Sequence, residues 1–336
     1  MLCAIISIME VVDLNKRKKV YSSRKLPGMA MERLKEQFDF TYNPLDRNLT
    51  YEELLKEAKG KHGIITMLSD RVDGKLMDEA DGVEIIANYA VGYNNMDVLE
   101  ATKRGIYLSN TPDVLTDDTA DMAFALILAS ARRIPEADRL TRDGLYKGWG
   151  PEFMLGRSVS GKTLGIIGAG RIGTAVARRA VGFGMDIVYY NRSRKKDVEN
   201  LGAKYVSFEK LLAESDIVSV HVPLGKETHH LIDGDALESM KRTSILINTS
   251  RGPVVDEKAL VKALEKGVIS GAGLDVYENE PKLADGLSLL ENAVLCPHLG
   301  SATRETRGKM ADIAAENIIS VLNGGLPKTG INEVEK

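Results

Sequence analysis

The chain is poor in the residues that build covalent or metal frameworks. Among 336 residues there are two cysteines, Cys3 and Cys296, and five histidines. Two distant cysteines supply neither a disulfide framework nor metal-ligand spacing, which suits a reducing compartment, so the cytoplasm is the expected location. The histidines form no HxxxH or HExxH cluster, and no metal site is predicted. A net charge of −3 carries no basic excess of the kind that binds nucleic acid. The opening stretch Met1–Val12 is apolar but too short to span a bilayer, and it lacks a basic leader and an A-x-A cleavage site. It reads as an extra strand, an arm, or the product of a start-codon choice, with Met9 as the alternative. Neither a membrane nor a nucleic acid is an expected partner. Internal repeats and low-complexity segments are absent too.

What is present is alternation. A chain of this length with 43% hydrophobic residues can bury two separate cores. Val20–Ser22, Phe38–Tyr42, Gly63–Met67, Val83–Asn88 and Ile106–Asn110 read as short strands. Gly28–Gln37, Tyr51–Ala58 and Met96–Arg104 between them read as amphipathic helices. Such alternation predicts a parallel sheet with helices on both faces. Asn110-Thr-Pro112 breaks the pattern before a long apolar helix, Ala120–Arg132. A second α/β unit follows from Leu164, with strands at Ile217–Val222, Ser244–Asn248, Ser270–Leu274 and Ala293–Cys296, and Thr303–Leu322 reads as one closing helix.

Gly168, Gly170 and Gly173 fit the GxGxxG spacing of a dinucleotide-binding βαβ unit. Thr163–Ile167 before them reads as a buried strand, Ile172–Gly182 as a helix and Met185–Tyr190 as the next strand. Gly168 permits a tight turn, Gly170 lets backbone N–H groups approach a pyrophosphate, and Gly173 lets the helix pack closely. Arg171 and Ile172 lie inside the same turn. The predicted fold is α/β with two Rossmann- or flavodoxin-like, doubly wound parallel-sheet domains. The nucleotide domain, residues 111–301, is inserted into a substrate domain of residues 1–110 and 302–336.

The second strand of an NAD site usually ends on an acidic residue that bonds the ribose 2′-hydroxyl. Here Asn191 stands at that place, followed by Arg192, Ser193, Arg194, Lys195 and Lys196. With no carboxylate to repel a 2′-phosphate and several cations to bind one, NADP(H) is expected in preference to NAD(H).

Three polar segments follow later strands, where a doubly wound fold places its crevice. They are Asn248–Gly252, Gly273–Pro281 and Cys296–Ser301. Hydride reduction of a 2-keto acid needs a cation for the carboxylate and keto oxygen, and a general acid for that oxygen. Arg251 carries a side chain that stays charged at any working pH, and His298 carries the imidazole, the side-chain type suited to general acid work near neutrality. Glu280 is the carboxylate that would favour and orient the protonated histidine.

The segments GAGRIG (168–173), NTSRGPVVDE (248–257), GAGLDVYENEP (271–281) and PHLGSAT (297–303) resemble, in order and spacing, the D-isomer-specific 2-hydroxyacid dehydrogenase family. The resemblance runs from about Lys19 to about Pro327. It implies that Arg251 binds substrate, that Glu280 pairs with His298, that His298 is the proton donor, and that Asp275 contacts the nicotinamide carboxamide. The 88–97 segment is similar to the family loop whose amides bind the substrate carboxylate, which puts Val91 and Gly92 at the substrate. Thr116 is implied near the nicotinamide, and His221, Val222 and Pro223 on the adenosine side. Thr228 and Thr249 complete the implied cofactor contacts. Asn94, Asp118 and Gly225 depart from the family's common aspartate, alanine and threonine.

Within the family the chain looks most like glyoxylate/hydroxypyruvate reductases, which implies NADPH-dependent reduction of a small 2-keto acid. Met67 and Leu68, with Trp149, are expected to face the substrate side chain. A 3-phosphoglycerate dehydrogenase and a D-lactate-type dehydrogenase remain as alternatives, as does a non-enzymatic, dinucleotide-sensing protein like the corepressors of this fold. A homodimer is implied, through Ala120–Arg132 and the segment after it. His229 and His230 read as solvent-facing helix residues, and Cys296 as a buried strand residue.

Overall fold

The computed structural model describes residues 17–334, so the opening apolar stretch Met1–Val12 lies outside it. The described chain divides into two compact units. One runs to Pro112 and resumes at Arg307; the other is Asp113–Thr306.

In the first unit, strands β1 (Lys19–Ser22), β2 (Asp39–Tyr42), β3 (Gly63–Thr66), β4 (Ile85–Asn88) and β5 (Tyr107–Ser109) form one sheet. Its order is β2-β1-β3-β4-β5 and every pairing is parallel. The central strands β3 and β4 are buried at every residue. That is what a parallel sheet covered on both faces requires, and it is why these segments read as apolar runs without alternation. Helix Tyr51–Ala58 starts where Thr50 and Glu53 close a reciprocal capping box. Asp73 caps a further helix, Gly74–Glu79. Gly63 packs closely, since an added Cβ would sit 3.2 Å from the Ile318 side chain of the closing helix Arg304–Leu322.

The second unit holds β6 (Thr163–Ile167), β7 (Asp186–Tyr190), β8 (Lys204–Tyr205), β9 (Ile217–Val220), β10 (Ile245–Asn248), β11 (Gly271–Leu274) and β12 (Ala293–Leu295). The order β12-β11-β10-β9-β6-β7-β8 is parallel throughout. The chain winds outward from β6 through β8, then returns to pair β9 with β6. That reversal makes the β6/β9 boundary the switch point of a doubly wound sheet, where a crevice opens beyond the strand ends. Period-two alternation gives each face its own core. Leu164, Ile166, Ile187, Tyr189 and Ile247 pack with helices Thr116–Arg132 and Arg171–Gly182. Ile167, Val188, Val218, Leu246 and Leu274 pack with the helices on the opposite face. Each fully buried Ile or Leu among them contributes about 1.5–3 kcal/mol.

The unit boundary after the active loops falls five residues later than the expected 301/302. Thr306 Oγ1 donates to Val114 O at 3.1 Å, and Thr303 Oγ1 donates to the Asp118 carboxylate, which keeps the start of the closing helix with the second unit. No helix among the described residues is long and apolar enough to cross a membrane.

Candidate active site

The glycine turn follows β6 directly. Gly168 holds φ +97°, and a Cβ there would lie 2.8 Å from the His221 carbonyl carbon. A Cβ on Gly173 would lie 2.2 Å from Gly168 O, so backbone excludes a side chain at both positions. Gly170 differs. It precedes helix Arg171–Gly182, and a Cβ there would meet nothing within 4 Å. The space beside Gly170 faces the unpaired N–H groups of the helix start, which favour negative charge. Arg171 is exposed and pairs with Asp113 at 2.7 Å, while Ile172 is half-buried.

The basic turn after β7 is more ordered than a solvated run of charges. Tyr189 is fully buried, yet its hydroxyl accepts from Lys195 N–H at 2.8 Å and donates to Glu199 Oε1 at 2.7 Å. Arg194 donates to the same Glu199 oxygen at 2.8 Å, with its guanidinium 6.0 Å from the Tyr205 ring centroid. Asn191 Nδ2 donates to Ser193 O at 2.9 Å. The expectation that no carboxylate is available at this turn is therefore corrected. Glu199 comes back to it because the following helical turn, Lys196–Glu199, reverses the chain. Its hydrogen bond from Arg194 holds its carboxyl below the usual range. Arg192 and Ser193 are exposed.

His221 follows β9 across the switch point. Its Nε2 lies 2.8 Å from Ser219 Oγ, and burial pushes its pKa down to about 4, so it is neutral at physiological pH. Val222 is half-buried and Pro223 exposed. Thr228 spends its hydroxyl inside the loop, donating to Pro223 O at 2.7 Å and accepting from Gly225 N–H at 2.8 Å. Thr249 is different: its Oγ1 is buried without a hydrogen-bond partner among the described residues. An orphaned hydroxyl beyond β10 and free space at Gly170 beyond β6 are both features that a dinucleotide along these strand ends satisfies. Thr116 is half-buried at the start of its helix.

Arg251, Glu280 and His298 come from the loops after β10, β11 and β12. Glu280 Oε2 lies 2.9 Å from His298 Nδ1, and opposite a carboxylate that nitrogen carries the proton. Glu280 Oε1 accepts from Tyr277 N–H at 3.1 Å. Burial works to raise the Glu280 carboxyl, but the His298 hydrogen bond and charge, the Tyr277 amide and the Arg251 charge together bring it below its usual value. Arg251 is half-buried and donates to Ser250 O at 2.6 Å; burial lowers its pKa and the Glu280 charge opposes this. His298 holds φ +57°, a left-handed conformation disfavoured for a side chain. Asp275, only 1% exposed, accepts from Leu299 N–H at 2.6 Å and from Gly300 N–H at 2.7 Å. Both its oxygens thus brace the turn that presents His298.

In the first unit, Met67 and Leu68 follow β3, with Met67 N–H donating to Asp70 Oδ2 at 2.7 Å. The carbonyls of Val91 and Gly92 accept from Asn110 and Asn88 side chains at 2.7 and 2.9 Å. Among the described residues, neither the Val91 nor the Gly92 N–H donates to a protein acceptor.

Three expectations change. His229 and His230 lie on a turn, not a helix; His230 is half-buried, with Nε2 2.9 Å from Glu278 Oε1. Cys296 follows β12 and is half-buried, with burial pushing its thiol up. Trp149 is 84% exposed, so it lines no apolar wall of its own unit. The described residues contain no cluster of three or more metal-ligating groups.

Residues 124–300 match the family described as D-isomer specific 2-hydroxyacid dehydrogenase, NAD binding domain. A glyoxylate reductase of Thermococcus kodakarensis is 53% identical over 94% of this chain and 97% of that relative. A second, from Korarchaeum cryptofilum, is 50% identical over 94% and 96%. Among solved structures, an NADPH-dependent glyoxylate/hydroxypyruvate reductase of Sinorhizobium meliloti in complex with NADP and malonate superposes with a TM-score of 0.84. It is 35% identical, covering 94% of this chain and 97% of that one.

Proposed function

Because the chain belongs to the D-isomer specific 2-hydroxyacid dehydrogenase family, we propose that it catalyses NADPH-dependent reduction of glyoxylate or hydroxypyruvate to the 2-hydroxy acid. The observation that carries this reading is the Glu280–His298 contact of 2.9 Å beside the half-buried Arg251. When bound, the reduced nicotinamide supplies a hydride to the keto carbon. Gly168, Gly170 and Thr249 would hold the dinucleotide, and Arg192 and Ser193 its 2′-phosphate. Arg251 binds the substrate carboxylate and polarises the keto oxygen. His298 gives that oxygen the proton that completes the hydroxyl, and Glu280 keeps the imidazole oriented for that transfer. Within the first unit, the free N–H groups of Val91 and Gly92 support a role as donors to an anion such as a carboxylate.

A homodimer in the cytoplasm belongs to the same reading. Helix Thr116–Arg132 buries Ala120, Ala123, Phe124 and Ile127 in its own unit, while Leu145, Tyr146 and Trp149 in the segment after it are exposed. Those exposed apolar residues support a second copy as the partner, and the concentration dependence of the solution mass tests it.

Reduced-nicotinamide oxidation with glyoxylate, hydroxypyruvate, pyruvate and 3-phosphohydroxypyruvate, each with NADPH and NADH, tests the activity. Turnover of the first two with NADPH is the expected result. Preference for the phosphorylated acid overturns the substrate assignment, and a lower KM for NADH overturns the cofactor assignment. No turnover with any pair overturns the enzyme.

A further inference from the structure

The loop that leaves β9 ends on a histidine that the proposed reaction does not use. His230 holds φ +50°, in the left-handed region. Its N–H donates to Pro253 O at 2.8 Å, and Ile232 N–H donates to Val254 O at 3.0 Å, lacing this loop to the one that carries Arg251. Its ring reaches the third loop, with Nε2 2.9 Å from Glu278 Oε1. Glu278 lies two residues before Glu280 in the segment that accepts and returns backbone bonds here. Glu278 N–H donates to Glu257 Oε2 at 3.2 Å, and Glu257 N–H donates to Glu278 Oε2 at 3.4 Å. The loops are pressed together at the same point, since a Cβ on Gly252 would fall 1.8 Å from the Tyr277 carbonyl carbon.

Three carboxylates converge at this junction. Asp256 Oδ2 lies 3.9 Å from His230 Nδ1, and Glu257 is 4% exposed with Oε1 unpartnered among the described residues. Clustered carboxylates repel unless a donor stands between them, and the His230 ring is the donor facing Glu278. If that donor is lost, Glu278 is left among acidic neighbours, and the strain falls on the short Tyr277–Glu280 segment. The Tyr277 amide in that segment is what fixes Glu280 Oε1.

We propose that His230 is a positioning residue. Through Glu278 it ties the loop after β9 to the segment that presents Glu280 to His298. The inference rests on the reductase reading above, and it makes no claim that His230 touches substrate.

Two substitutions separate the bond from the backbone. His230→Gly removes the ring and suits the left-handed φ, so the fold is preserved. His230→Gln keeps an N–H that can donate to Glu278. With glyoxylate and NADPH, His230→Gly is expected to lower kcat about tenfold while the KM for glyoxylate stays within about twofold, and His230→Gln to recover to within about threefold of wild type. Glu278→Ala combined with His230→Gly should be no slower than the slower single variant, because both break the same link.

An unchanged kcat in folded His230→Gly, a His230→Gln as slow as the glycine variant, or losses that multiply in the double variant would each overturn the proposal. Should His230→Gly not fold, Glu278→Ala with wild-type kcat overturns it equally. A wild-type protein that reduces no keto acid with either nicotinamide cofactor removes the reductase reading and this inference together. An active wild type with an indifferent His230 removes the inference alone.

Discussion

His298 Nδ1 lies 2.9 Å from Glu280 Oε2, and the other oxygen of that carboxylate is held by the Tyr277 amide at 3.1 Å. The histidine is thus oriented from one side by a carboxylate that is itself fixed, which leaves Nε2 for the substrate oxygen in the proposed reaction. Replacing His298 by Ala should lower kcat by about 10²–10⁴-fold, the span usual for loss of a general acid. Steady-state rates with glyoxylate and NADPH check this, and a His298→Ala variant within threefold of wild type would remove the assignment.

The same pair has a signature in stability against pH. Glu280 titrates below the ordinary value of a glutamate in the folded protein, with the His298 hydrogen bond and charge, the Tyr277 amide and the Arg251 charge outweighing burial. A carboxyl depressed by folding stabilises the fold at pH above its unfolded value, and that contribution disappears as pH falls through the folded value. Wild type should therefore lose stability below about pH 4.5 more steeply than His298→Ala, whose Glu280 has lost that partner. Urea midpoints measured between neutral and acidic pH compare the two slopes; parallel curves would contradict the coupling.

Gly168 and Gly170 stand two residues apart and should fail differently. Gly168→Ala places a Cβ 2.8 Å from the His221 backbone at φ +97°, so it should destabilise the protein by about 1–3 kcal/mol and lower the melting temperature. Gly170→Ala meets nothing within 4 Å, so its melting temperature should match wild type while the KM for the cofactor rises. Equal melting temperatures for both variants would contradict the division between a turn glycine and a ligand glycine.

Arg192 and Glu199 bear on cofactor choice from opposite directions. Arg192 is exposed, whereas Arg194 is engaged by Glu199 at 2.8 Å. Removing Arg192 should cost one charge-assisted bond to a 2′-phosphate, about 1.5–3 kcal/mol, and so reduce the NADPH-over-NADH preference about tenfold or more. Glu199→Gln frees Arg194 and removes a nearby negative charge, which should raise that preference. The ratio of kcat/KM values for the two cofactors reads both effects, and an unchanged ratio in Arg192→Ala rules out its role.

Asp275→Asn tests the brace behind His298. One amide oxygen cannot accept as two carboxylate oxygens do, so either the Leu299 or the Gly300 N–H loses its acceptor at a cost of about 1–3 kcal/mol. Both melting temperature and kcat should fall. A stable variant whose only defect is a raised cofactor KM would assign Asp275 to the nicotinamide instead.

Much of this molecule was legible before any coordinates. The run Thr163–Ile167, its glycine turn and the helix after it follow from local rules, because each side chain's constraint is met by near neighbours. Tyr51–Ala58 was legible for the same reason, its Thr50–Glu53 box being contained in four residues. The two-residue strand β8 has no pattern of its own and exists through pairing with β7. The proposed catalytic trio was legible as residue types after strands, but its geometry was not, since Glu280 and His298 meet through the pairing of β11 with β12. The carboxylate at the basic turn and the partner of His230 were not legible, because Glu199 reaches Arg194 across a helical turn and Glu278 lies 48 residues from His230, and a run of cations or a pair of histidines carries no mark of that. Asp275 showed its carboxyl in the sequence without showing that two backbone amides already claim it.

Tyr189 has its ring in the hydrophobic core and its hydroxyl under the basic turn. The turn's template is therefore lodged in the interior, while the residues that would meet a 2′-phosphate are merely mounted on it. Grafting the exposed cations onto a homologous scaffold whose second strand ends without this tyrosine would transfer their charge and leave their arrangement behind. Drift at the surface can retune how strongly the turn attracts an anion, but the place where it offers those charges is kept by a residue that solvent never reaches.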